Sequence, residues 1–296
     1  MSRAGSTLAQ AKVNLALRVL GKRPDGFHSI ETVFLRLALG DDVRVHIRGR
    51  TRTIRCGVLR DEPKEANLAF RAAALYSDVA GWPTGFEIAI KKRIPVGGGL
   101  GGGSADAAAV LRILNTLAPT PLSSEHLLEV ALRIGSDVPF QTSSHAMALA
   151  WGRGEKLLEL PPLPARDIDL LIPPYGVSSS AAYAALAQTR SAESKRPPEL
   201  TAEMFANWPS VVKHSVNDFE GVIRKDHPEI DAWLRAGEAA DLLCRMTGSG
   251  STVFVMSGAE KDAASEKIQG LRNLPPDSRR ISTRTSTSVV PVEVLD

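Results

Sequence analysis

The chain has 296 residues, enough for two modest domains with a substantial apolar core. Hydrophobic residues make up 43% and charged residues 23%, the range of an ordinary globular protein. The net charge of +3, without a long basic run, argues against a nucleic-acid partner. No segment approaches the roughly 20 apolar residues of a membrane span, and the first residues lack a signal-peptide apolar block. We therefore expect a cytoplasmic protein with no membrane partner.

The two cysteines and a cluster of four arginines could suggest functional sites, but a structural interpretation explains them better. Cys56 and Cys244 are far apart and lack metal-ligand spacing, so they indicate neither a metal site nor a disulfide framework. Four arginines, at positions 48, 50, 52 and 55, alternate with Thr, Ile and Gly. We interpret them as the solvated face of an exposed strand or hairpin.

The first 90 residues are rich in strand patterns. Apolar residues alternate with period 2, which predicts strands over 13–17, 30–37, 43–47 and 86–90. Turn residues occupy 21–26, and the Gly40, Asp41, Asp42 triplet predicts a break between the second and third strands. Helical spacing of apolar residues predicts a helix over 66–79.

A domain boundary is predicted near residue 160. Before it, the pattern predicts helices over 104–117 and 124–134, with Ser124 as a cap of the second, and a short strand over 146–151. Pro161, Pro162 and Pro164 then interrupt the pattern. We expect an N-terminal domain over 1–160 and a C-terminal domain over 161–296.

The second half again mixes strands and helices. The predicted elements are a strand over 169–172, helices over 179–188, 217–224 and 228–236, and a glycine turn before the apolar run 253–255. The polar, Pro-rich stretch 189–199 predicts a mobile loop, and the Ser-, Thr- and Arg-rich C-terminal stretch carries no functional signal. There is no internal repeat. Mixed elements in both halves indicate an α+β fold.

A glycine cluster immediately before a predicted helix is the strongest local feature. Its eleven residues are Pro95, Val96, Gly97, Gly98, Gly99, Leu100, Gly101, Gly102, Gly103, Ser104 and Ala105. Glycine lets the backbone approach an anion closely, and a helix N-terminus offers unpaired N–H groups and a positive dipole end. Ser104 is placed to cap the helix or to face a magnesium-bound phosphate. A flexible linker would not run directly from a strand into an Ala-rich helix, so the cluster predicts a polyphosphate cradle.

Two common phosphate loops do not fit this cluster. The Lys-Ser/Thr ending of a Walker loop is absent. Gly97, Gly99 and Gly102 satisfy the dinucleotide fingerprint, but Lys91 and Lys92 occupy the preceding strand, which should be apolar, and no acidic residue follows at the expected place.

The cluster instead resembles the glycine loop of the GHMP small-molecule kinases. Further motifs of one branch of that family follow in the same order, at Ala11–Leu15, Asp25–His28, Ile134–Phe140, Asn217–Glu220 and Met246–Phe254. The resemblance spans about residues 9–257. It implies a ribosomal-S5-like N-terminal domain, a ferredoxin-like C-terminal domain and a site between them. The implied reaction uses ATP, with Mg2+, to phosphorylate the 2-hydroxyl of a cytidine diphosphate ester of methylerythritol, a small molecule of the non-mevalonate isoprenoid pathway.

The resemblance assigns the catalytic roles. Taken alone, Asp137 is better explained as a helix-terminal or turn residue; the resemblance makes it the general base. Taken alone, Lys12 is best explained as a strand lysine that faces solvent. The resemblance implies that it pairs with Asp137, keeps that carboxylate ionised and stabilises charge at the reacting oxygen. Asn14, on the same strand face, is implied to orient the substrate.

Substrate and nucleotide contacts are implied in the same way. Phe27, His28 and Tyr183 would hold the cytosine, with Phe27 at a position where tyrosine is common in the family, and Ser179 and Gly248 would lie beside the substrate. Asn67 and Lys92 would flank ATP together with the glycine cluster, although Lys92 alone is equally well explained as a solvated strand residue. The metal ligands and the choice between monomer and homodimer stay open.

Three alternatives are kept. A kinase of the same family could act on another alcohol, such as homoserine or mevalonate, and would not use a cytosine clamp. A non-catalytic member could keep the fold as a nucleotide-binding module, although Lys12 and Asp137 are both present. A dehydrogenase ranks below both.

Overall fold

The structure, a computed structural model, describes residues 3–57, 63–189, 199–257 and 275–295. The predicted mobile loop 189–199 therefore lies almost entirely outside the described residues. Within them, strands fall into two separate sheets, one formed mainly by the first half of the chain and one by the second. Helices and strands occur in both halves, which is the predicted α+β composition.

The bounds of the described strands are as follows. They are β1 Ala4–Lys22, β2 His28–Ile47, β3 Arg52–Cys56, β4 Phe86–Lys91, β5 Met147–Gly152, β6 Lys156–Glu159, β7 Asp167–Ile172, β8 Leu242–Met246, β9 Val253–Ser257, β10 Arg279–Arg284 and β11 Glu293–Leu295.

The described α-helices are α1 Leu68–Ala80, α2 Gly102–Leu117, α3 Ser124–Ile134, α4 Val138–Thr142, α5 Ser179–Thr189, α6 Trp208–His214, α7 Glu220–Asp226 and α8 Pro228–Ala239.

The first sheet is built on a long antiparallel hairpin of β1 and β2. Its strand order is β11-β1-β2-β4-β3, and β5 extends from β2 and carries β6. Helices α1 and α2 pack together on one face, where apolar side chains of both strands and helices form the main core. The alternation of apolar residues along β1 and β2 is what gives the sheet this buried face.

The second sheet has the strand order β10-β7-β9-β8, with antiparallel neighbours. In chain order this is 4-1-3-2, the ferredoxin-like arrangement that the family resemblance predicts. A second core of apolar side chains lies between this sheet and helices α5, α7 and α8.

The predicted division into 1–160 and 161–296 is kept as a proposal. The two sheets separate between β6 and β7, near the proline-rich stretch. After β10 the chain returns to the first sheet, because β11 pairs with β1 through Ala4 and Leu295. The C-terminal residues are thus part of the N-terminal sheet.

The predicted break at residues 40–42 is wrong, because β2 runs through it without interruption. Gly40, Asp41 and Asp42 pair in register with β1. A side chain at Gly40 would meet Leu8 Cγ at 2.6 Å, so glycine serves close packing here. Asp41 is fully buried and is used as a charge, as described below.

The helix starts also differ from prediction by a few residues. Ser123, not Ser124, caps α3, and its hydroxyl accepts from His126 N at 3.3 Å. Gly101 is the N-cap of α2, so Ser104 lies within the first turn. The helix predicted from 217 begins at Glu220.

Two helix glycines should respond in opposite directions to alanine. A Cβ at Gly237 on α8 would lie 2.2 Å from Cys244 Cβ on β8, whereas a Cβ at Gly221 on α7 meets nothing within 4 Å. We expect Gly237→Ala to lower the free energy of unfolding by about 1–3 kcal/mol through overpacking. Gly221→Ala should raise it by about 0.5–1 kcal/mol, because alanine loses less backbone entropy in a helix. Urea unfolding measures both, and equal stabilities would contradict this packing of α8 on β8.

Candidate active site

The glycine cluster forms a cavity at the N-terminus of α2. The cavity has a volume of about 170 Å3, and its walls include all the loop residues from Pro95 to Gly103 together with Asn67, Lys92 and Asp106. Gly101 caps α2 in the left-handed conformation, with φ of 71°, and no side chain caps the helix. The first-turn N–H groups therefore stay available to an anion, as the sequence predicts.

A second glycine turn, Thr247–Gly250, presses against this loop. A Cβ at Gly99 would lie 2.2 Å from Thr247 O, and one at Gly98 would lie 2.5 Å from Thr252 Oγ1. Thr252 N donates to Gly98 O at 3.3 Å. The turns belong to different halves of the chain, so their contact, which only glycine permits, joins the two halves at the site.

Lys12 lies at the centre of this junction. It sits on β1 between two register shifts, and such shifts re-aim side chains. Its backbone N–H donates to Leu100 O in the glycine loop at 3.0 Å. Its side chain is buried, with Nζ 3.3 Å from Asp137 Oδ2 and 2.7 Å from Asn14 Oδ1. The predicted partners Lys12 and Asp137 are therefore brought together.

Asp137 occupies the N-cap position of α4 without capping it. Its side chain accepts no hydrogen bond from the helix and faces Lys12 instead. The side chain of Asp137 is 31% exposed, whereas that of Lys12 is 4% exposed. The carboxylate can thus meet a ligand from solvent while a buried cation stabilises its charge, which is what a general base requires.

Asn14 connects Lys12 to the second glycine turn. Its Oδ1 accepts from Thr247 Oγ1 at 3.2 Å and from Gly248 N at 2.9 Å, and its Nδ2 donates to Thr32 Oγ1 at 2.7 Å. These contacts make Asn14 a joint between the halves, and its predicted contact with substrate stays a prediction. Asn217 holds the same turn from the other side by donating to Met246 O and Gly248 O.

Lys92 is buried rather than solvated. Its Nζ lies 2.5 Å from Asp41 Oδ2 and 2.7 Å from Asp106 Oδ2. Asp41 Oδ1 also accepts from the backbone N–H groups of Arg93 and Ile94 at 2.5 and 2.8 Å. This triad fixes the segment that leads into the glycine loop, and ATP binding by Lys92 stays a prediction. The sequence reasoning missed both carboxylates, because Asp41 lies in a turn-like triplet and Asp106 in an Ala-rich helix.

The triad holds two carboxylates and one ammonium in a buried place. Burial raises the pKa of Asp106 to about 7; the charge of Lys92 opposes this rise, and Asp41 adds to it. Among the described residues, Asp106 Oδ1 has no hydrogen-bond partner. A proton on Asp106 therefore relieves a charge excess beside the phosphate loop.

Two of the three residues predicted to hold cytosine lie in contact, and cytosine binding by all three stays a prediction. His28 stacks on Tyr183 with ring centroids 4.3 Å apart and an interplanar angle of 10°. Phe27 is 47% exposed, and the guanidinium carbon of Arg153 lies 3.5 Å from its ring centroid. Burial, with a further contribution from the charge of Asp137, raises the pKa of Tyr183 to about 12. Tyr183 is thus within electrostatic reach of the predicted base.

The other predicted residues surround the same region. Ser179 Oγ lies 2.8 Å from Ser249 Oγ in the second glycine turn. Asn67 caps α1 by accepting from Ala69 N at 2.9 Å. It also lines both the loop cavity and a larger cavity of about 990 Å3 over the outer face of the first sheet.

Comparisons with known proteins identify the family of the chain. Residues 67–152 match the GHMP kinases N terminal domain, and residues 183–276 match the GHMP kinases C terminal family. A 4-diphosphocytidyl-2-C-methyl-D-erythritol kinase from Pelotomaculum thermopropionicum is 38% identical over 287 residues, which cover 95% of this chain and 97% of the relative. The chain belongs to the 4-diphosphocytidyl-2-C-methyl-D-erythritol kinase family of GHMP kinases. It is accordingly a kinase, an enzyme that uses ATP.

Solved structures extend the agreement to the fold of this GHMP kinase. A crystal structure of 4-(cytidine 5'-diphospho)-2C-methyl-D-erythritol kinase matches with a TM-score of 0.76 and 33% identity, covering 95% of this chain and 99% of that one. Homoserine kinase from Cytophaga hutchinsonii matches with a TM-score of 0.67 and 19% identity, covering 99% and 97%. The second match concerns the fold alone. The predicted two-domain GHMP fold is confirmed.

The residues of the kinase that the structure describes contain neither a membrane-spanning helix nor a cluster of metal-ligating side chains. No helix in them is long and apolar enough to cross a membrane. Nor do they contain a group of three or more His, Cys, Asp or Glu side chains that could hold a metal ion.

Gly99→Ala should disrupt the junction of the two glycine turns. The substitution places a Cβ against Thr247 O and forces alanine into φ of 77°, so the loop must shift. Because a misplacement of about 1 Å costs about 10²-fold in rate, we expect kcat/KM for ATP to fall by at least 10-fold. The control is Gly221→Ala on α7, outside the loop, whose Cβ would meet nothing within 4 Å. Equal steady-state kinetics for the two variants would contradict this role of the junction.

Asp106→Asn should change how stability depends on pH. The pKa of Asp106 in the folded state, about 7, lies above that of a free aspartate, so folding favours its protonated form. The contribution of Asp106 to the free energy of unfolding is fully present below about pH 4. It is lost as the pH rises to 7, by up to about 1.4 kcal/mol per pH unit. The variant lacks this loss, so its stability relative to the wild type should increase from pH 4.5 to 7.5. Urea unfolding without nucleotide measures this difference, and parallel pH curves would contradict it.

Proposed function

We propose that this kinase transfers the γ-phosphoryl group of ATP to the 2-hydroxyl of 4-diphosphocytidyl-2-C-methyl-D-erythritol. The main support is that Lys12 Nζ lies 3.3 Å from Asp137 Oδ2 while the Lys12 backbone N–H is hydrogen-bonded to the glycine loop. A base, a cation and a phosphate cradle thus meet at one point. Phosphoryl transfer needs positioning, charge neutralisation and a group that takes the alcohol proton, and these parts supply all three.

Asp137 acts as the general base. Its carboxylate accepts the proton of the 2-hydroxyl as that oxygen forms a bond to the γ-phosphorus and the bond from phosphorus to the ADP oxygen breaks. Asp137 lies at the N-cap of α4 but makes no capping hydrogen bond, so its carboxylate oxygens are available for that proton.

Lys12 supplies the positive charge at the point of transfer. Its burial lowers the local dielectric, which strengthens its attraction to Asp137 and to the oxygens of the transferred group. Asn14 holds the ammonium in place through the 2.7 Å hydrogen bond to Oδ1. A lysine so fixed needs no rearrangement at the moment of reaction.

The nucleotide would lie along the glycine loop, with its phosphates at the N-terminus of α2. Asn67 stands where the loop cavity meets the larger cavity, so we place adenosine on that side. Lys92 forms a wall of the phosphate cavity, and Ser104, in the first turn of α2, would offer its hydroxyl to the phosphates. The oxygens for Mg2+ would come mainly from the ATP phosphates and water, with Asp137 as the carboxylate of this chain. When bound, the ion neutralises phosphate charge.

The substrate would enter from the side of Phe27, His28 and Tyr183. Tyr183 is near enough to Asp137 for the carboxylate to raise the pKa of the tyrosine. One substrate molecule can therefore place its cytosine at Tyr183 and its 2-hydroxyl at Asp137. Ser179 and Gly248, beside the second glycine turn, would contact the diphosphate. The cytoplasmic location and the monomer or homodimer state stay predictions.

The test is ADP release from magnesium-ATP with each of three acceptors and without acceptor. We expect turnover with 4-diphosphocytidyl-2-C-methyl-D-erythritol and none above background with homoserine or mevalonate. Asp137→Asn keeps the shape but removes the proton acceptor, so kcat should fall by about 10²–10⁴-fold. The matched control is Asp226→Asn, a change at an exposed aspartate on α7, which should keep wild-type rates.

Other outcomes decide among the alternatives. Turnover with homoserine or mevalonate would support the assignment as a kinase and refute the proposed binding of cytosine. No turnover with any acceptor would support a non-catalytic nucleotide-binding protein. Full activity of Asp137→Asn would overturn the assignment of the base.

A further inference from the structure

Two cations on neighbouring strands face the two ends of one short helix. Lys12 on β1 and Arg36 on β2 are directly paired in the sheet register. Lys12 meets Asp137 at the start of α4, and Arg36 meets the carbonyl groups at its end. The five-residue α4 thus lies across the strand pair, held at both ends.

The guanidinium of Arg36 binds the end of α4 through every one of its nitrogens. Nη2 donates to Phe140 O at 2.6 Å, to Gln141 O at 3.2 Å and to Ser143 O at 3.1 Å. Nε donates to His145 O at 2.8 Å, and Nη1 donates to Gln141 Oε1 at 2.5 Å. The guanidinium also lies over the Phe140 ring, 4.7 Å from its centroid.

Arg36 is an unusual group for a core. It is 1% exposed, and no carboxylate of the described residues lies within ion-pair distance of it. Burial, with the nearby charge of Arg112, lowers the pKa of Arg36 to about 9, so the group remains a cation at neutral pH. A buried cation is costly, and here carbonyl dipoles compensate it in place of a counter-ion.

The helix needs these donors because it is too short to satisfy itself. The last four carbonyls of any α-helix lack intrahelical partners, and α4 has five residues. The C-terminal end of a helix is also its negative end, which favours a cation. The buried side chains of α4 and the stack of Phe140 on Phe34 hold the helix in the core, and Arg36 adds the charged donors that fix its C-terminal end and, through the helix, Asp137 in front of it.

We propose that Arg36 is a positioning residue for phosphoryl transfer, which fixes α4 so that Asp137 stays at Lys12. Gln141 takes part in this arrangement: its Oε1 accepts from Arg36, and its Nε2 would lie 3.5 Å from a Cβ at Gly101. The Gln141 side chain thus lies between Arg36 and the glycine loop, and among the described residues its Nε2 has no hydrogen-bond partner.

The first test compares Arg36→Met and Arg36→Lys with the wild type. Because Arg36 acts on the base and not on the nucleotide, we expect kcat to fall by about 10–10²-fold, the cost of a misplaced reacting group. The KM for ATP should stay within about 2-fold. Arg36→Lys keeps the charge but not the fork of donors, so it should recover part of the rate. A raised KM for ATP with unchanged kcat would overturn the proposal.

A double-mutant cycle separates positioning from general stability. In the Asp137→Asn background there is no base left to position, so Arg36→Met should cause less than about a 2-fold further loss of kcat. Multiplicative losses in the double variant would overturn the proposal. If Arg36→Met does not fold, the cycle is run with Gln141→Leu, which removes the Nη1 acceptor alone and should lower kcat in the same direction.

The inference rests on the proposed function, and a measurement without substrate keeps the two apart. Hydrogen exchange should show faster exchange of the Gln141 and Ser143 amides in Arg36→Lys, with amides of α1 and α8 unchanged. Faster exchange there, in a protein that phosphorylates no acceptor, would support the fixing of α4 and refute the proposed function. Unchanged exchange would overturn the role of Arg36.

Discussion

The contact between the two glycine turns is the constraint on which the rest of the site depends. The Gly98–Gly99 backbone and the Thr247–Gly248 backbone come from different sheets and approach without side chains between them. This approach brings Asn14, on the first sheet, within hydrogen-bond distance of the second turn, and Asn14 in turn holds Lys12. Lys12 is therefore placed by packing between the halves rather than by its own strand alone.

Three cations of the first half of the chain have buried side chains, and each is compensated differently. Lys12 has a partly exposed carboxylate, Lys92 has two buried carboxylates, and Arg36 has carbonyl groups at a helix end. Only the first arrangement leaves a carboxylate open to a ligand. The other two keep the loop and α4 fixed around a site that must accept a highly charged nucleotide, and both charges are held where solvent cannot screen them.

Local pattern was sufficient for much of the fold. The apolar spacing of α2 and α3 and the glycine loop before α2 lie where the sequence predicts them, because local residues determine them. The pairing of Lys12 with Asp137 came from the family resemblance, since 125 positions separate them in the sequence. Arg36 was missed because a charged residue in a predicted strand gives no local sign that it is buried. Asp41 was missed because its Gly-Asp-Asp triplet is typical of a turn. Strands β8 and β10, short and partly polar, depend on tertiary pairing for their existence.

The stack of His28 on Tyr183 changes what recognition of a base requires. With centroids 4.3 Å apart, the two rings leave no gap for a third ring, and Arg153 covers the ring of Phe27. A base that enters between His28 and Tyr183 must replace their mutual stack, a contact worth roughly 0.5–1.5 kcal/mol, whereas part of Phe27 is exposed. The net gain from placing a ring between His28 and Tyr183 is therefore smaller than the energy of two new stacks, by the energy of the internal stack that is lost.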